Sequence, residues 1–375
     1  MAETIDLLIV GGGITGQSAA LTAAGAGARV AIVDMAQNVG SHANAGSLHV
    51  QMQSRFLRLN PHLAENVESS LPLYLAAVAE WDVLDEALGG VELTRAGGLM
   101  LAEGADQMAF LREKAEREAK KGLAVDILER PELERIAPYL GPNIVGAELC
   151  RDEGKVNPLI ANRKMNARLS GLRVRHIADR IIGIEAGDGK PAAIGQARHE
   201  ADHILIAAAW GTEALTRSLG LRLPTPPEPL HMNITEAGEY AIKHLVQHAE
   251  RSITLKQFRS GQVVIGGGWP ARQNAVEATP RVRADSLLGN VALAAAIAPG
   301  IAGLRVLRTW AGVNTPVDGK ATIGPVRPGA RVSLSLPGDA GYTLGPIVGR
   351  SAAEQILGLP SQIDPTPFAP NRWYG

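Results

Sequence analysis

Cysteine is nearly missing from this chain: 375 residues include one, Cys150. A single thiol excludes an intrachain disulfide, an iron–sulfur cluster held by this chain alone, and a Cys-rich zinc site. It fits a reducing compartment, so the expected location is cytoplasmic, with no metal. Net charge is nearly missing too, at −1, which removes the electrostatic case for nucleic acid or an anionic membrane. Aromatic residues make up 4% of the chain, so any ring-walled pocket must be built from few of them. Long apolar runs are lacking as well. The longest late one, around residues 291–301, is broken by Pro299 and Gly300 and is too short to span a bilayer. The first apolar run follows Glu3 and no basic segment, so no signal peptide is expected. What is present is a globular composition, 46% hydrophobic and 20% charged, over a length that suits two domains. There is no internal repeat and no low-complexity linker.

Residues 5–34 are the most informative stretch. Residues 5–10 are a short apolar run, right for a buried parallel strand. It leads directly into Gly11-Gly12-Gly13-Ile14-Thr15-Gly16, which fits G-x-G-x-x-G at Gly11, Gly13 and Gly16. A small, Ala-rich segment, 17–27, then predicts a helix that can lie close to a sheet. Residues 29–33 predict a second strand ending on Asp34. The glycines let the backbone turn and approach a pyrophosphate, the helix N-terminus offers N–H groups and a positive dipole end, and Asp34 can accept hydrogen bonds from a ribose diol. Strand, glycines, helix, strand and acid stand in the order a dinucleotide site requires.

Further along, residues 61–88 read as a helix, 98–102 as a strand, 107–121 as an amphipathic charged helix and 131–136 as a short helix. Residues 153–158 read as a loop that starts another helix. Strands are expected at 172–176, 180–185 and 203–209, the last running back under the cofactor. Four prolines in 224–229 mark a crossover between domains. The triplet Gly266-Gly267-Gly268 reads as a strand end whose backbone lies close to something. A Gly-rich turn over 337–346 precedes a last helix at about 347–357.

These blocks together resemble the D-amino-acid oxidase family of FAD-dependent oxidoreductases. The resemblance rests on the opening motif with Ala20 and Gly27; on 40–47, similar to the family's loop beside the flavin; on 204–211; and on Arg308-Thr309-Trp310-Ala311-Gly312-Val313, Pro316, Asp318-Gly319, Ile323-Gly324-Pro325 and the 341–345 turn. Within the family, 42–51 is most similar to flavin-bearing B subunits of opine oxidases, with proline and hydroxyproline dehydrogenase subunits nearby. The resemblance implies an α/β fold: a Rossmann-like FAD domain of the glutathione-reductase type, discontinuous over 1–90, 143–222 and 310–375, and an α+β substrate domain on a mixed sheet over 91–142 and 223–309. It implies that hydride leaves a carbon next to nitrogen for flavin N5. It implies partner subunits carrying iron–sulfur clusters or further flavin. It implies FAD contacts from Met35, Ser41, His42, Asn44, Ala45, Gly46, Ser47, Leu48, Ile181, Ala209, Trp210, Gly211, Gly338, Gly341, Tyr342, Thr343 and Leu344, beside Gly11, Gly13, Ile14, Thr15, Gly16 and Asp34.

The chain departs from its relatives where they grip substrate. Glycine-oxidase-like members have an arginine before the proline of the Trp-Ala-Gly block, and here Asn314 and Thr315 precede Pro316. Sarcosine-oxidase-like members have a lysine in the late turn, and here it reads Gly341-Tyr342-Thr343. Members with tethered FAD use a cysteine near that turn; Cys150 is far off in sequence, so FAD is expected to bind non-covalently. These departures point away from glycine and sarcosine toward an opine or a hydroxyproline-like imino acid. The other enzyme reading is a stand-alone oxidase using oxygen, and the non-enzyme reading is a subunit whose FAD is structural.

The candidate catalytic residues are His49, Arg55 and Tyr342. His49 is the histidine nearest the flavin loop, able to bind a carboxylate or tune protonation, or simply structural. Arg55 and Arg58 are the nearest arginines, and a guanidinium suits a bidentate carboxylate grip; either can equally be a surface charge. Tyr342 can hydrogen-bond substrate or only pack. Asn44 and His42 either touch flavin or serve turn chemistry. His231, Trp269 and Trp310 are pocket-wall or core residues. No general base is identified, and the resemblance implies none is needed when the amine enters neutral.

Overall fold

The computed structural model describes residues 4–35, 37, 40–187, 189–273 and 279–374. Two sheets set its plan. The first has six strands in the order Thr322–Pro325, Val332–Leu336, His203–Ile206, Leu7–Val10, Val30–Asp34, Arg175–Ala178. All pair in parallel except Thr322–Pro325, which runs antiparallel to Val332–Leu336. The opening strand is central, so both its faces are covered. Leu7 and Ile9 join the core under the helices, and Leu8 and Val10 join the core on the opposite side. That two-sided burial is why the run has no polar alternation.

The helix Ile14–Gly25 follows the first strand and packs against the C-terminal helix Gly341–Leu357. Small residues permit the crossing: a Cβ on Gly349 would lie 2.1 Å from the Thr15 carbonyl oxygen. The C-terminal helix begins at Gly341, not near 347, so the late Gly-rich segment is its first turns rather than a preceding turn. Pro346 lies inside it and has no N–H for the carbonyl of Tyr342. The indole N–H of Trp81 donates to the carbonyls of Tyr342 and Thr343, at 3.3 and 3.2 Å, so the helix can continue through the proline.

The second sheet has eight strands: Val306–Asn314, Glu228–Ala237, Gln262–Gly266, Thr254–Gln257, Leu245–His248, Gly98–Ala102, Gly146–Cys150, Val125–Glu129. It is antiparallel except where Leu245–His248 pairs in parallel with Gly98–Ala102. Leu99, Leu101, Val246, Leu255 and Ile265 bury one face with Ala294 and Ile297 of the helix Ala284–Ile297. Gly146–Cys150 belongs to this sheet. We therefore propose that the second crossing back to the nucleotide sheet falls after Cys150 rather than at 143. A short ribbon, Ser47–Leu48 with Gly154–Lys155, joins the two bodies beside the site.

Candidate functional site

The dinucleotide motif has its expected local geometry. Gly11 has φ +116°, and a Cβ there would lie 2.3 Å from the Ala207 carbonyl oxygen. Gly11 therefore serves the chain's own packing. A Cβ on Gly13 would meet within 4 Å only Ser41 Oγ, at 3.1 Å. A side chain there would crowd only that hydroxyl and no backbone, and Gly13 lines the cavity that opens there. Asp34 Oδ2 accepts from Gly12 N at 2.7 Å, and Ser41 Oγ accepts from Ile14 N at 2.8 Å. These bonds tie the helix N-terminus to the end of the second strand and to the loop after it.

From Gly13 a cavity of about 670 Å³ runs between the sheets. Its walls are the N-terminus of Ile14–Gly25, the loop over 40–56, the start of Gly341–Leu357, and the near face of the eight-stranded sheet. Trp310 Nε1 donates to the Ala43 carbonyl at 2.8 Å and fixes the loop to that sheet. Gly46 has φ +77°, and its N–H donates to Asn44 Oδ1 at 2.7 Å. The Asn44 side chain is thus used in turn chemistry.

The electrostatics of the wall come from groups far apart in sequence. Lys256 is 1% exposed and donates to Ser47 Oγ at 2.7 Å. Burial and the nearby Lys155 bring its ammonium down to about 7. Glu153 is fully buried, and burial raises it to about 7 although it accepts from Val50 N, Gln51 N and Gln51 Nε2. Burial, aided by Lys256, lowers His49 to about 3. His49 is therefore a neutral imidazole at neutral pH, poor as a cationic carboxylate grip. Asp339 is pushed up to about 6 by burial, with Glu228 adding to the rise. Deeper, Lys114 is held between Glu118 and Glu148 at 2.8 and 2.7 Å, all three fully buried, and Glu118 accepts from Met52 N at 2.6 Å. Two buried carboxylates, Glu153 and Glu118, thus grip the backbone at 50–52.

Of the residues singled out from sequence, Gly13, Ile14, Thr15, Ser41, Asn44, Ala45, Ser47, His49, Arg55, Ala209, Gly338, Gly341, Tyr342 and Thr343 line this cavity. Ala209 does so with φ +48°, unusual for a residue with a side chain. Gly11, Gly16, Gly46, Leu48 and Leu344 lie behind the wall, the two leucines as core. Asp34 and Met35 sit at the strand end, where the motif expects the ribose. His42 is exposed on the turn Ser41–Ala43. Ile181 packs into the apolar core below the nucleotide sheet, and Trp210 and Gly211 lie in the turn after its central strands. Tyr342 stacks on Trp81 with centroids 5.3 Å apart, and its hydroxyl donates to Asn162 Oδ1 at 3.4 Å. Trp269 donates to the Ser252 carbonyl, and His231 Nε2 pairs with Asn233 Oδ1 at 2.9 Å. Glu153, Lys256, Gln51, Gln247 and Asp339 were not singled out. Each is an isolated polar residue, and nothing local distinguishes it.

These residues fit an FAD. The bare Gly13 edge and the helix N-terminus suit the pyrophosphate, Asp34 the ribose, and the long cavity past Ser41 and Ser47 the isoalloxazine. A sequence profile described as DAO, FAD dependent oxidoreductase, matches residues 6–355. The chain is 28% identical over 328 residues to an opine oxidase subunit of Rhizobium meliloti, covering 82% of this chain and 81% of that protein. It is 25% identical over 376 residues to glycine oxidase of Bacillus licheniformis, covering 96% and 95%. It superposes on the crystal structure of glycine oxidase from Geobacillus kaustophilus with a TM-score of 0.84 at 21% identity, over 100% of both chains, which supports the fold. With the family match running through nearly the whole chain and the motif's geometry in place, this protein belongs to the DAO family of FAD-dependent oxidoreductases.

Proposed function

We propose that this protein oxidises the C–N bond of a secondary amine that bears a carboxylate, an opine or an imino acid such as hydroxyproline. When bound, FAD would supply the hydride acceptor; the neutral substrate nitrogen's lone pair would form C=N as the hydride leaves, and water would hydrolyse the imine. The chain's residues bind and orient. Gly13, Thr15 and Asp34 would hold the dinucleotide, and Ser47, Gly338 and Gly341 would border the flavin. Binding is non-covalent in this reading: Cys150 is fully buried in the eight-stranded sheet, opposite Gly98 and outside the cavity lining.

One observation carries the substrate class. The cavity has two arginines, Arg55 and Arg251. Arg251 is held by Glu103 at 2.8 Å. Arg55 has no ion-pair partner among the described residues, and it faces the cavity near Gly268. Arg58, its rival, is paired with Glu250 at 2.6 Å and lies over the Phe110 ring at 4.9 Å. Arg55 is therefore the guanidinium left to grip a substrate carboxylate. Asn314, where glycine-oxidase-like members have their arginine, donates instead to Glu228 at 2.9 Å. That wall is acidic, which argues against the glycine-type grip.

Electrons then leave to a partner chain carrying an iron–sulfur cluster or further flavin. The Rhizobium relative, by name one subunit of an opine oxidase, supports this role. The likeness to glycine oxidase over 96% of the chain favours the second reading, a stand-alone oxidase. We place the protein in the cytoplasm, which suits a chain with one thiol. No helix among the described residues is long and apolar enough to cross a membrane. The test is anaerobic flavin bleaching by opines, proline, hydroxyproline, glycine and sarcosine, followed by turnover in air. Rapid bleaching by opines or imino acids with little peroxide is expected. Bleaching by glycine or sarcosine alone would overturn the substrate class. Fast peroxide formation would identify an oxidase, and no bleaching at all would leave FAD structural.

A further inference from the structure

One buried carboxylate orients two amides at the cavity wall. Glu153 Oε2 accepts from Gln51 Nε2 and from Gln247 Nε2, each at 2.9 Å. Its Oε1 accepts from Val50 N at 2.8 Å and Gln51 N at 3.2 Å. An ionised carboxylate can only accept. Each amide must therefore turn its NH₂ to Glu153 and its carbonyl oxygen away. Gln51 Nε2 also reaches the Gly98 carbonyl at 3.4 Å, a second acceptor that fixes the same orientation. Both glutamines are 2% exposed, both line the cavity, and among the described residues neither Oε1 has a hydrogen-bond partner. His49 Nδ1, 4.0 Å from Glu153 Oε1, is unpartnered as well.

Buried acceptors without donors cost free energy, and several at one wall favour a donor from outside the chain, a water in the cavity or an N–H of a bound ligand. A carboxylate has no hydrogen to give them. An amine does. We propose that Gln51 and Gln247 bind the nitrogen of the substrate amine through its N–H hydrogens, with Glu153 as the positioning residue that aims both carbonyls. A secondary ammonium has two N–H groups, one for each carbonyl; it gives one proton to water before hydride loss, and the neutral amine keeps the other N–H on the pair. Glu153 behind the amides supplies the negative charge that a cationic nitrogen favours, and Arg55 takes the carboxylate. This inference rests on the amine-oxidation reading above and names the part of the site that reads nitrogen.

The test compares two pairs of probes that differ only at nitrogen: iminodiacetate with glutarate, and proline with cyclopentanecarboxylate. Binding to the FAD-loaded protein is followed by the change in flavin absorbance. The wild type should hold each amine more tightly than its carbon counterpart. Gln51→Leu and Gln247→Leu should each weaken amine binding about tenfold or more, the loss of one bond to a charged donor. They should leave the carbon counterparts within twofold. Glu153→Gln, which can donate to one amide and turn it, should show the same amine-selective loss; it and Gln51→Met serve if a leucine variant does not fold. Equal weakening of amine and counterpart, or no weakening of either, overturns the proposal. Failure of every amine to bleach the wild-type flavin would instead overturn the oxidation reading, while the binding preference would still report on the amide pair.

Discussion

Replacing Arg55 by alanine should separate substrate grip from structure more cleanly than any other single change. Arg55 is exposed on the short helix Ser54–Leu59 and has no ion-pair partner among the described residues. Its removal should therefore cost within about 0.5 kcal/mol of stability, as for a surface substitution. A carboxylate held by two charge-assisted bonds from a partly solvated guanidinium contributes about 2–3 kcal/mol. At about 1.4 kcal/mol per tenfold, Arg55→Ala should raise the amine's dissociation constant about 30- to 140-fold. The carboxylate keeps its charge through the reaction, so a grip by Arg55 would be equal in ground and transition states and the limiting bleaching rate should change only a few-fold. Arg58→Ala is the control. Its guanidinium is already engaged by Glu250 and Phe110, so it should cost at most about 1 kcal/mol of stability and leave affinity within twofold. The assay is anaerobic stopped-flow bleaching across substrate concentration, giving affinity and limiting rate separately. A carboxamide analogue should be indifferent to Arg55→Ala. Equal effects of the two alanines, or a collapse of the limiting rate with affinity intact, would refute the reasoning.

Gly13→Val should abolish FAD binding while the protein still folds, because a Cβ there meets only Ser41 Oγ; FAD released on denaturation and the circular-dichroism melt report the two effects. Gly349→Val should do the opposite first, lowering the melting temperature, since its Cβ would lie 2.1 Å from the Thr15 carbonyl oxygen. Lys114→Met leaves Glu118 and Glu148 buried without their cation and should destabilise by about 3–5 kcal/mol in urea unfolding, with partial recovery on adding Glu148→Gln. The preference for an amine over its carbon counterpart should rise with pH through about 7. Above that value Glu153 is ionised and both amides face it; below it, the acid's O–H must find an amide oxygen, and one acceptor turns away from the substrate. Lys256 also loses its charge near 7 and acts in the same direction, so the profile should persist, reduced, in Lys256→Met and in Glu153→Gln, and flatten through 7 when the two are combined. His49, held down to about 3, and Lys114, raised by its two glutamates, do not change charge in that window.

The sequence by itself determined the nucleotide end. Strand, glycines, helix, strand and Asp34 lie within thirty-odd residues, and their contacts depend on backbone conformations that only certain residues allow. Gly11 at φ +116° against Ala207 and the bond from Gly12 to Asp34 follow directly from that order. Tertiary structure decided the rest. Arg55 and Arg58 share one short helix and look alike in sequence; only Glu250 and Phe110, brought there by folding, occupy Arg58 and leave Arg55 without an ion-pair partner among the described residues. The glycines of 337–346 read as a turn before a helix near 347, whereas the helix begins at Gly341 and the indole of Trp81, from a distant helix, takes up the carbonyl that Pro346 leaves open. Gln51, Glu153 and Gln247 lie about a hundred residues apart along the chain. What joins them is burial, which makes each unpartnered amide oxygen costly, and burial belongs to the assembled fold rather than to any segment of it.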